Sequence, residues 1–135
     1  MKKIFFLTFF LANPLQAFEL LVTGLRNDEG EVRCSVYKTA EAFLEPKSAL
    51  VTLTVKPAKG QALCDFKELE AGDYALGVLH DEDQDGLMRT NFIGLPQEGW
   101  AVSNDAPPRM FGAPTFQSAL KSWKPGERAE VKIRY

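Results

Sequence analysis

The chain has 135 residues, of which 16 are basic and 18 acidic, giving a formal net charge of −2. This length fits one ordinary domain with a single core, and the acidic balance excludes the electrostatic footprint of a nucleic-acid-binding protein. Hydrophobic residues make up 45% of the chain and aromatic residues 11%, a composition too apolar for a disordered protein.

The N-terminal segment, MKKIFFLTFFLANPLQA, has the layout of a secretory signal peptide. Two lysines precede an apolar run, residues 4–12, which Pro14 and Ala17 follow. The run is far shorter than the roughly 20 residues of a membrane-spanning helix, and no later run approaches that length. We therefore predict cleavage near Ala17, export to the periplasm or beyond, and a single mature domain, 18–135, that does not span a membrane. A buried N-terminal helix is the alternative.

Period-two alternation of apolar and polar residues recurs through the remaining chain and predicts half-buried antiparallel strands. It is clearest in ALVTLTVKP, residues 49–57, and in ERAEVKIRY, residues 127–135. Turn-like compositions such as RNDEG, KPAKG and EAGD separate about six such segments. The sequence therefore predicts a mainly β fold, an antiparallel sandwich of two sheets with six or seven strands.

Two cysteines follow the N-terminal segment, Cys34 in EVRCSVYK and Cys64 in QALCDFKEL. In each segment the cysteine shares a strand face with the apolar residues two positions away, so both thiols point toward the interior of a sandwich. Because exported proteins meet oxidising conditions, we predict a Cys34–Cys64 disulfide. A pair of buried free thiols is the alternative.

Two segments carry helical rather than strand periodicity. TFQSALKSW, residues 115–123, predicts one short C-terminal helix that Thr115 caps and Pro125 and Gly126 stop. Its apolar residues recur at i, i+3, i+4 and i+7, which is typical of a helix packed on a core. TAEAFLEP predicts a single helical turn that ends at Pro46.

The segment 80–114 is the longest stretch without a predicted regular element. Loops beyond roughly 12–15 residues are usually functional or disordered, and this one is aromatic enough to pack. We expect it to form an ordered contact surface for a small ligand, a glycan or an envelope protein. The residues expected on that surface are His80, Asn91, Trp100, Asn104, Arg109 and Phe111.

The stretch HDEDQDG, residues 80–86, fits the first half of the calcium-loop pattern D-x-[DN]-x-[DN]-G. Aspartates at alternate positions of a tight loop converge on one point, and Gly86 permits the turn that brings the next carbonyl inward. The pattern predicts a calcium site with a Kd of about 10⁻⁴ to 10⁻³ M. Its predicted ligands are Asp81, Asp83, Asp85 and the Leu87 carbonyl.

The calcium pattern is incomplete, because Phe92 stands where the loop usually carries a bidentate glutamate. Glu98, Asn91 or Asp105 could complete the ligand shell from farther along the chain. A solvated β-turn without an ion is the alternative.

His80 is the only histidine of the chain and follows the inward-facing residues of the preceding strand in phase. Such a histidine is more often structural than catalytic. One imidazole is too few for the usual catalytic zinc site, and Ser103 lacks the G-x-S-x-G context of a serine hydrolase. We therefore favour a non-catalytic binding module. A structural or envelope-assembly protein and an enzyme using His80 with neighbouring acids are the alternatives.

The stretches LHDEDQDGLMRTNFIGLPQEGWAVSNDA and FGAPTFQSAL resemble an exported bacterial family, domain of unknown function 2141 (DUF2141). That family typically reads H-D-x-N-x-[ND]-G, then T-N-x-x-G-x-P-x-E-G-[YFW], then S-N-[ND]-A, then F-G-x-P-x-F. The matching positions here are His80, Asp81, Asp83, Asp85, Gly86, Thr90, Asn91, Gly94, Pro96, Glu98, Gly99, Trp100, Ser103, Asn104, Asp105, Ala106, Phe111, Gly112, Pro114 and Phe116.

The upstream stretch LEAGDYALGVLHD is similar to the start of a strand in transthyretin-like and immunoglobulin-like sandwiches. The two resemblances imply an exported β-sandwich of that kind, with no activity assigned to it. One position departs from the family pattern, because Arg89 stands where the family often has an acid. Arg89 could pair with Asp83 or Glu98, which would favour a loop without an ion.

Overall fold

The computed structural model describes residues 18–135, so the predicted signal peptide, residues 1–17, lies outside the described part. Within that part the chain forms two β-sheets, which confirms the predicted mainly β sandwich. The strands are β1 (Phe18–Thr23), β2 (Glu31–Tyr37), β3 (Val51–Val55), β4 (Ala62–Phe66), β5 (Gly72–Asp81), β6 (Gly99–Val102), β7 (Lys121–Trp123) and β8 (Arg128–Lys132). One α-helix, α1 (Phe116–Ala119), and 3-10 turns at Pro46–Ser48 and Ser103–Asp105 complete the set of regular elements there.

The smaller sheet has the strand order β4-β1-β8, and the larger has the order β3-β2-β5-β6, with β7 paired to the start of β5. Strands β1 and β8 run parallel, which corrects the prediction of a wholly antiparallel sandwich. A parallel pair requires a long crossover connection, and here the whole body of the domain connects the two strands. The alternation of apolar and polar residues shows which face of a strand is buried. It does not show whether the neighbouring strand runs parallel or antiparallel.

The core lies between the two sheets, and strands such as β1 and β4 bury alternate residues in it, whereas β5 buries an unbroken run from Tyr74 to Val78. In β1 the buried residues are Phe18, Leu20 and Val22, and the residues between them are partly exposed. The disulfide Cys34–Cys64 crosses this core and joins β2 of the larger sheet to β4 of the smaller. Both cysteines are fully buried, as the shared inward phase of their segments predicted.

The predicted C-terminal helix is shorter than its periodicity indicated. Thr115 caps it as predicted, since its Oγ1 accepts the Ser118 N–H at 3.1 Å, but α1 ends at Ala119. Trp123 lies instead in β7, where its indole N–H donates to the Tyr74 carbonyl and its ring meets Phe18 edge-on in the core. Pairing with β5 and burial of a tryptophan therefore override the local helical preference. Among the described residues, no helix is long and apolar enough to cross a membrane.

Two other local predictions differ from the structure. Residues 40–44 form hydrogen-bonded turns rather than a helical turn, and Pro46 begins a 3-10 turn instead of ending a helix. Proline favours the first position of a helical turn because the N–H it lacks would have no partner there. The segment predicted to be irregular, 80–114, contains β6, whose four residues are too few to show a period.

Removing the disulfide is expected to destabilise the sandwich. The double variant Cys34→Ala/Cys64→Ala should lose about 3 kcal/mol of unfolding free energy, because the bond closes a separation of 30 residues in the unfolded chain. Urea denaturation of the oxidised wild type, the reduced wild type and the double variant measures this. Equal midpoints for the oxidised and reduced wild type would contradict it.

Gly30 holds the β1–β2 turn directly against the end of β5. It has a φ of +65°, and a Cβ atom placed on it would lie 2.7 Å from the Glu82 Cα. Gly30→Ala should therefore lower the free energy of unfolding by about 3 kcal/mol or more, because the left-handed backbone conformation and the steric clash each cost energy. Thermal and urea denaturation measure the loss.

The matched control for this substitution is Gly94→Ala. Gly94 also has a positive φ, +83°, but nothing lies within 4 Å of an added Cβ. Gly94→Ala should lower the free energy of unfolding by only about 1 kcal/mol, because only the backbone conformation is strained. Equal losses at the two positions would show that the close approach at Gly30 contributes nothing.

Candidate metal centre

Four carboxylates meet where β5 ends and β6 begins. Asp81 is the last residue of β5, Asp83 and Asp85 follow in the loop, and Glu98 directly precedes β6. Because β5 and β6 pair with His80 opposite Gly99, their register brings Glu98 beside Asp81. One carboxylate oxygen from each of the four residues lies within 4.8 Å of the others.

The loop folds around Asp81 through hydrogen bonds from its own backbone. The Asp81 carboxylate accepts the N–H groups of Asp85 at 3.2 Å and Gly86 at 2.7 Å. Asp83 accepts the Asp85 N–H at 3.3 Å, and Asp85 accepts the Leu87 N–H at 2.8 Å. Gly86 has a φ of +77°, as the tight turn of the calcium-loop pattern requires. The predicted convergence of alternate aspartates therefore occurs.

Asp81 is fully buried and ionised in the ordinary range of pH. Burial alone would raise its pKa, but the Gly86 N–H and the Arg33 guanidinium outweigh burial and lower the pKa. The Nε of Arg33 lies 3.0 Å from an Asp81 oxygen. One buried carboxylate of the cluster thus has a cationic partner.

Asp83 lies on the exposed side of the cluster and its pKa moves in the opposite direction. Partial loss of hydration raises the pKa of Asp83, and the adjacent Asp81, Asp85 and Glu98 carboxyl groups add to this effect. An Arg89 guanidinium nitrogen lies 3.9 Å from an Asp83 oxygen, an exposed pair that contributes little. The raised pKa is the electrostatic sign of crowded negative charge.

Glu98 is fully buried, and its carboxylate holds the two ends of the loop. One oxygen accepts the Glu82 N–H at 2.8 Å and the other accepts the Arg89 N–H at 3.0 Å. No lysine or arginine side chain of residues 18–135 forms a salt bridge with it. Arg89 therefore contacts Glu98 through its backbone and Asp83 through its side chain.

Of the two acidic residues considered for completing the ligand shell, Glu98 joins the cluster and Asp105 does not. The amide oxygen of Asn91 accepts the N–H groups of Ile93 and Leu95. One carboxylate oxygen of Asp105 accepts the Lys132 N–H at 2.8 Å. Sequence spacing could not select among the three, because the choice depends on the pairing of β5 with β6.

His80 does not lie on the contact surface where the sequence analysis placed it. It is fully buried, with Nε2 2.8 Å from the Glu29 carbonyl and Nδ1 2.7 Å from the Tyr135 hydroxyl. A carbonyl only accepts, so Nε2 carries the proton. The Tyr135 hydroxyl accepts the Arg26 N–H and can donate to Nδ1. Both ring nitrogens are thus occupied in a buried structural link, and nothing in this geometry favours an enzyme.

The other residues predicted for the contact surface differ in how exposed they are and in what their side chains contact. Phe111 is 93% exposed, and Trp100 is partly buried on β6. The amide of Asn104 donates to the carbonyls of Ser118 and Leu120, and the Arg109 Nε donates to the Ala113 carbonyl. Polar groups of Asn91 and Asn104 therefore stabilise turns within the chain.

Neutralising Asp81 and Asp83 should have opposite effects in calcium-free buffer. Asp81→Asn should lower the free energy of unfolding by about 1–3 kcal/mol at neutral pH, because Arg33 and the Gly86 N–H lose a charged acceptor. Asp83→Asn should raise it, because repulsion among neighbouring carboxylates is relieved. Urea denaturation with EDTA measures both differences.

The pH dependence of these effects has a defined sign. A carboxyl whose pKa is lower in the folded chain stabilises the fold above its unfolded pKa, about 4, and that stability is lost as the pH falls through the folded value. The stability difference between wild type and Asp81→Asn should therefore shrink below about pH 4. For Asp83, whose pKa is raised, acidification removes a destabilising charge. A stability difference between the wild type and Asp81→Asn that does not change with pH would contradict the lowered pKa of Asp81.

Comparison with known proteins identifies the family. The chain matches no curated protein and no solved structure. Its residues 20–129 match a family described as an uncharacterized protein conserved in bacteria. This match covers most of both sheets and the whole carboxylate cluster, and it confirms the resemblance found in the sequence. The chain is therefore a member of the DUF2141 family.

Proposed function

We propose that this protein is an exported, non-catalytic binding module whose carboxylate cluster takes calcium and thereby orders the loop between β5 and β6. The observation that carries the proposal is the burial of Glu98 beside three other carboxylates without a basic side chain of the described residues paired to it. Burying a carboxylate costs several kcal/mol unless a positive charge compensates it. A divalent cation at the cluster supplies that charge.

The donor set supports calcium among the divalent cations. All four side chains offer hard carboxylate oxygens, and the Leu87 carbonyl is the further oxygen ligand that the loop pattern predicts. Calcium accepts six to eight oxygens in flexible geometry, whereas magnesium requires a near-ideal octahedron. Two fixed, buried carboxylates and two exposed, adjustable ones suit the more tolerant ion.

Export is supported by two independent features of the chain. Residues 1–17 have the composition of a signal peptide, and cleavage near Ala17 would release a domain beginning at Phe18. The Cys34–Cys64 disulfide fits an oxidising compartment such as the periplasm or the extracellular space. A weak calcium site is useful outside the cytoplasm, where calcium is abundant enough to fill it.

The proposed ligand of the module is a small molecule, a glycan or an envelope protein that contacts the segment 80–114. Among the side chains first predicted, Asn104, Arg109 and Phe111 are exposed, and Asn91 and Trp100 are partly buried. Exposed aromatic and arginine side chains suit both apolar and polar contacts. Buried His80 is no longer part of this proposed surface.

A structural or envelope-assembly protein without an ion is the second candidate. One observation favours it: the oxygens of Asp81 and Glu98 already accept backbone N–H groups, so the loop has an internal hydrogen-bond network. The two candidates differ in whether calcium changes the stability of the fold.

Calcium should raise the melting temperature of the purified protein relative to EDTA. At a calcium concentration about tenfold above Kd, linkage adds about 1.4 kcal/mol, which corresponds to roughly 3–8 °C for a domain of this size. Glu98→Gln and Asp83→Asn should each abolish most of the calcium-dependent rise, because each removes a charged ligand. Differential scanning calorimetry in EDTA and in millimolar calcium measures the effect.

Asp73→Asn is the matched control for these variants. Asp73 is exposed near the start of β5, at the opposite end of the strand from the cluster. Asp73→Asn removes the same charge as Asp83→Asn, so the calcium response of this variant should equal that of the wild type. Equal melting temperatures of the wild type in EDTA and in calcium would exclude the ion and favour the structural candidate.

A further inference from the structure

Residues 133–135, which follow β8, connect the smaller sheet to the start of β6 in the larger sheet. The Ile133 N–H donates to the Thr23 carbonyl at 2.9 Å, so this segment continues along the end of β1. Arg134 then pairs with Trp100 of β6, because the N–H of each residue donates to the carbonyl of the other, at 2.8 and 2.9 Å. We call residues 133–135 the strap.

The strap packs directly against the first residue of β6. Gly99 is buried, and a Cβ atom placed on it would lie 2.5 Å from the Ile133 Cγ2 and 2.5 Å from the Tyr135 Cε1. The backbone of Gly99 does not have a positive φ, so the close approach of these two side chains is what excludes a larger residue. Because Glu98 directly precedes Gly99, the strap constrains the backbone from which the Glu98 carboxylate extends.

A second set of contacts connects Tyr135 to the same carboxylate. The Arg26 guanidinium lies over the Tyr135 ring, 4.5 Å from the ring centre, and forms an ion pair with Glu82. The Glu82 N–H in turn donates to a Glu98 oxygen at 2.8 Å. Contacts of Tyr135 therefore lead to Glu98 both through the backbone of Glu98 and through one of its two hydrogen-bond donors.

The Tyr135 hydroxyl holds the ring in this position. It accepts the Arg26 N–H at 3.1 Å and lies 2.7 Å from the His80 Nδ1. Because His80 of β5 pairs with Gly99 of β6, the hydroxyl and the ring contact neighbouring residues of the two strands. Tyr135 is nevertheless 48% exposed, so its side chain can be replaced without opening the core.

We propose that Tyr135 is a positioning residue for the carboxylate cluster, because its ring holds the Glu98 carboxylate in place and thereby sets the affinity of the cluster for calcium. This inference rests on the proposed calcium function and names what controls the affinity of that site. Three of the four carboxylates belong to one loop, whereas Glu98 reaches them from β6. The strap contacts β6 on the side away from β5, and a binding site requires its ligands to stay within about 0.5 Å of the productive geometry.

The first test measures the calcium Kd of the purified protein by NMR titration. Tyr135→Ala should weaken calcium binding at least about threefold, because coupling through packed contacts typically changes affinity by about two- to thirtyfold. Tyr135→Phe keeps the ring against Gly99 and Arg26 and should stay within about twofold of the wild type. Tyr135→Leu, which keeps part of the apolar contact, should fall between the two. All three substitutions leave the charge near the ion unchanged, so direct electrostatics does not contribute.

Phe116→Ala is the matched control, because it also removes a partly exposed aromatic ring and lowers the stability of the fold. Phe116 packs against Phe43 in the smaller apolar cluster around Ala75, toward the start of β5 and away from Asp81. Distant sites contribute independently, so the calcium Kd of Phe116→Ala should stay within about twofold of the wild type. Equal weakening by Phe116→Ala and Tyr135→Ala would show that lost stability alone lowers the affinity.

Amide hydrogen exchange in EDTA tests the positioning of Glu98 without an ion. The N–H groups of Glu82 and Arg89 both donate to the Glu98 carboxylate, and the buried, hydrogen-bonded N–H of Leu76 on β5 serves as the reference. In Tyr135→Ala the Glu82 and Arg89 amides should accelerate at least about tenfold more than the Leu76 amide. This excess separates local loosening around Glu98 from a general loss of stability.

Four results would overturn the proposal: a calcium affinity of Tyr135→Ala equal to that of a calcium-binding wild type, equal weakening by the phenylalanine and alanine variants, equal weakening by the control, or no excess exchange at the Glu82 and Arg89 amides. A wild type that binds no calcium but shows the excess exchange in Tyr135→Ala would remove the calcium function and retain Tyr135 as the residue that positions Glu98. The two failures are therefore distinguishable.

Discussion

The burial of two carboxylates at one end of the sandwich is the constraint on which the functional region depends. Asp81 and Glu98 have no exposure to solvent, and each must satisfy its carboxylate oxygens through contacts within the protein. Asp81 does so with Arg33 and the Gly86 N–H, and Glu98 with two backbone N–H groups alone. Such charge-assisted bonds are strong, so the loop has a defined shape despite having few regular elements.

The carboxylate cluster and the exposed turn at residues 90–96 are parts of one loop. Glu98 accepts the Arg89 N–H, and the Arg89 carbonyl accepts the Gln97 N–H at the neck of the turn. A cation at the cluster would therefore act on the same backbone that supports Phe92 and Ile93.

Much of the fold follows from alternation in the sequence, because a strand between a core and solvent must bury every second residue. This accounts for the two sheets and for the disulfide, since Cys34 and Cys64 share the phase of their buried neighbours. Local patterns failed where tertiary contacts dominate. Trp123 leaves the predicted helix because the core and the edge of β5 offer it more burial than a helix would. The parallel pairing of β1 with β8 has no local signature at all.

The sequence by itself determined the strands, the inward phase of the cysteines and the convergence of three aspartates, since each depends on residues a few positions apart. Only the tertiary structure decided that Glu98 joins them, that His80 is buried against Glu29 and Tyr135, and that the Asn91 side chain stabilises a turn. Those features depend on which strands pair and in what register. Register is set by the summed packing of the whole core, which no short stretch of sequence contains.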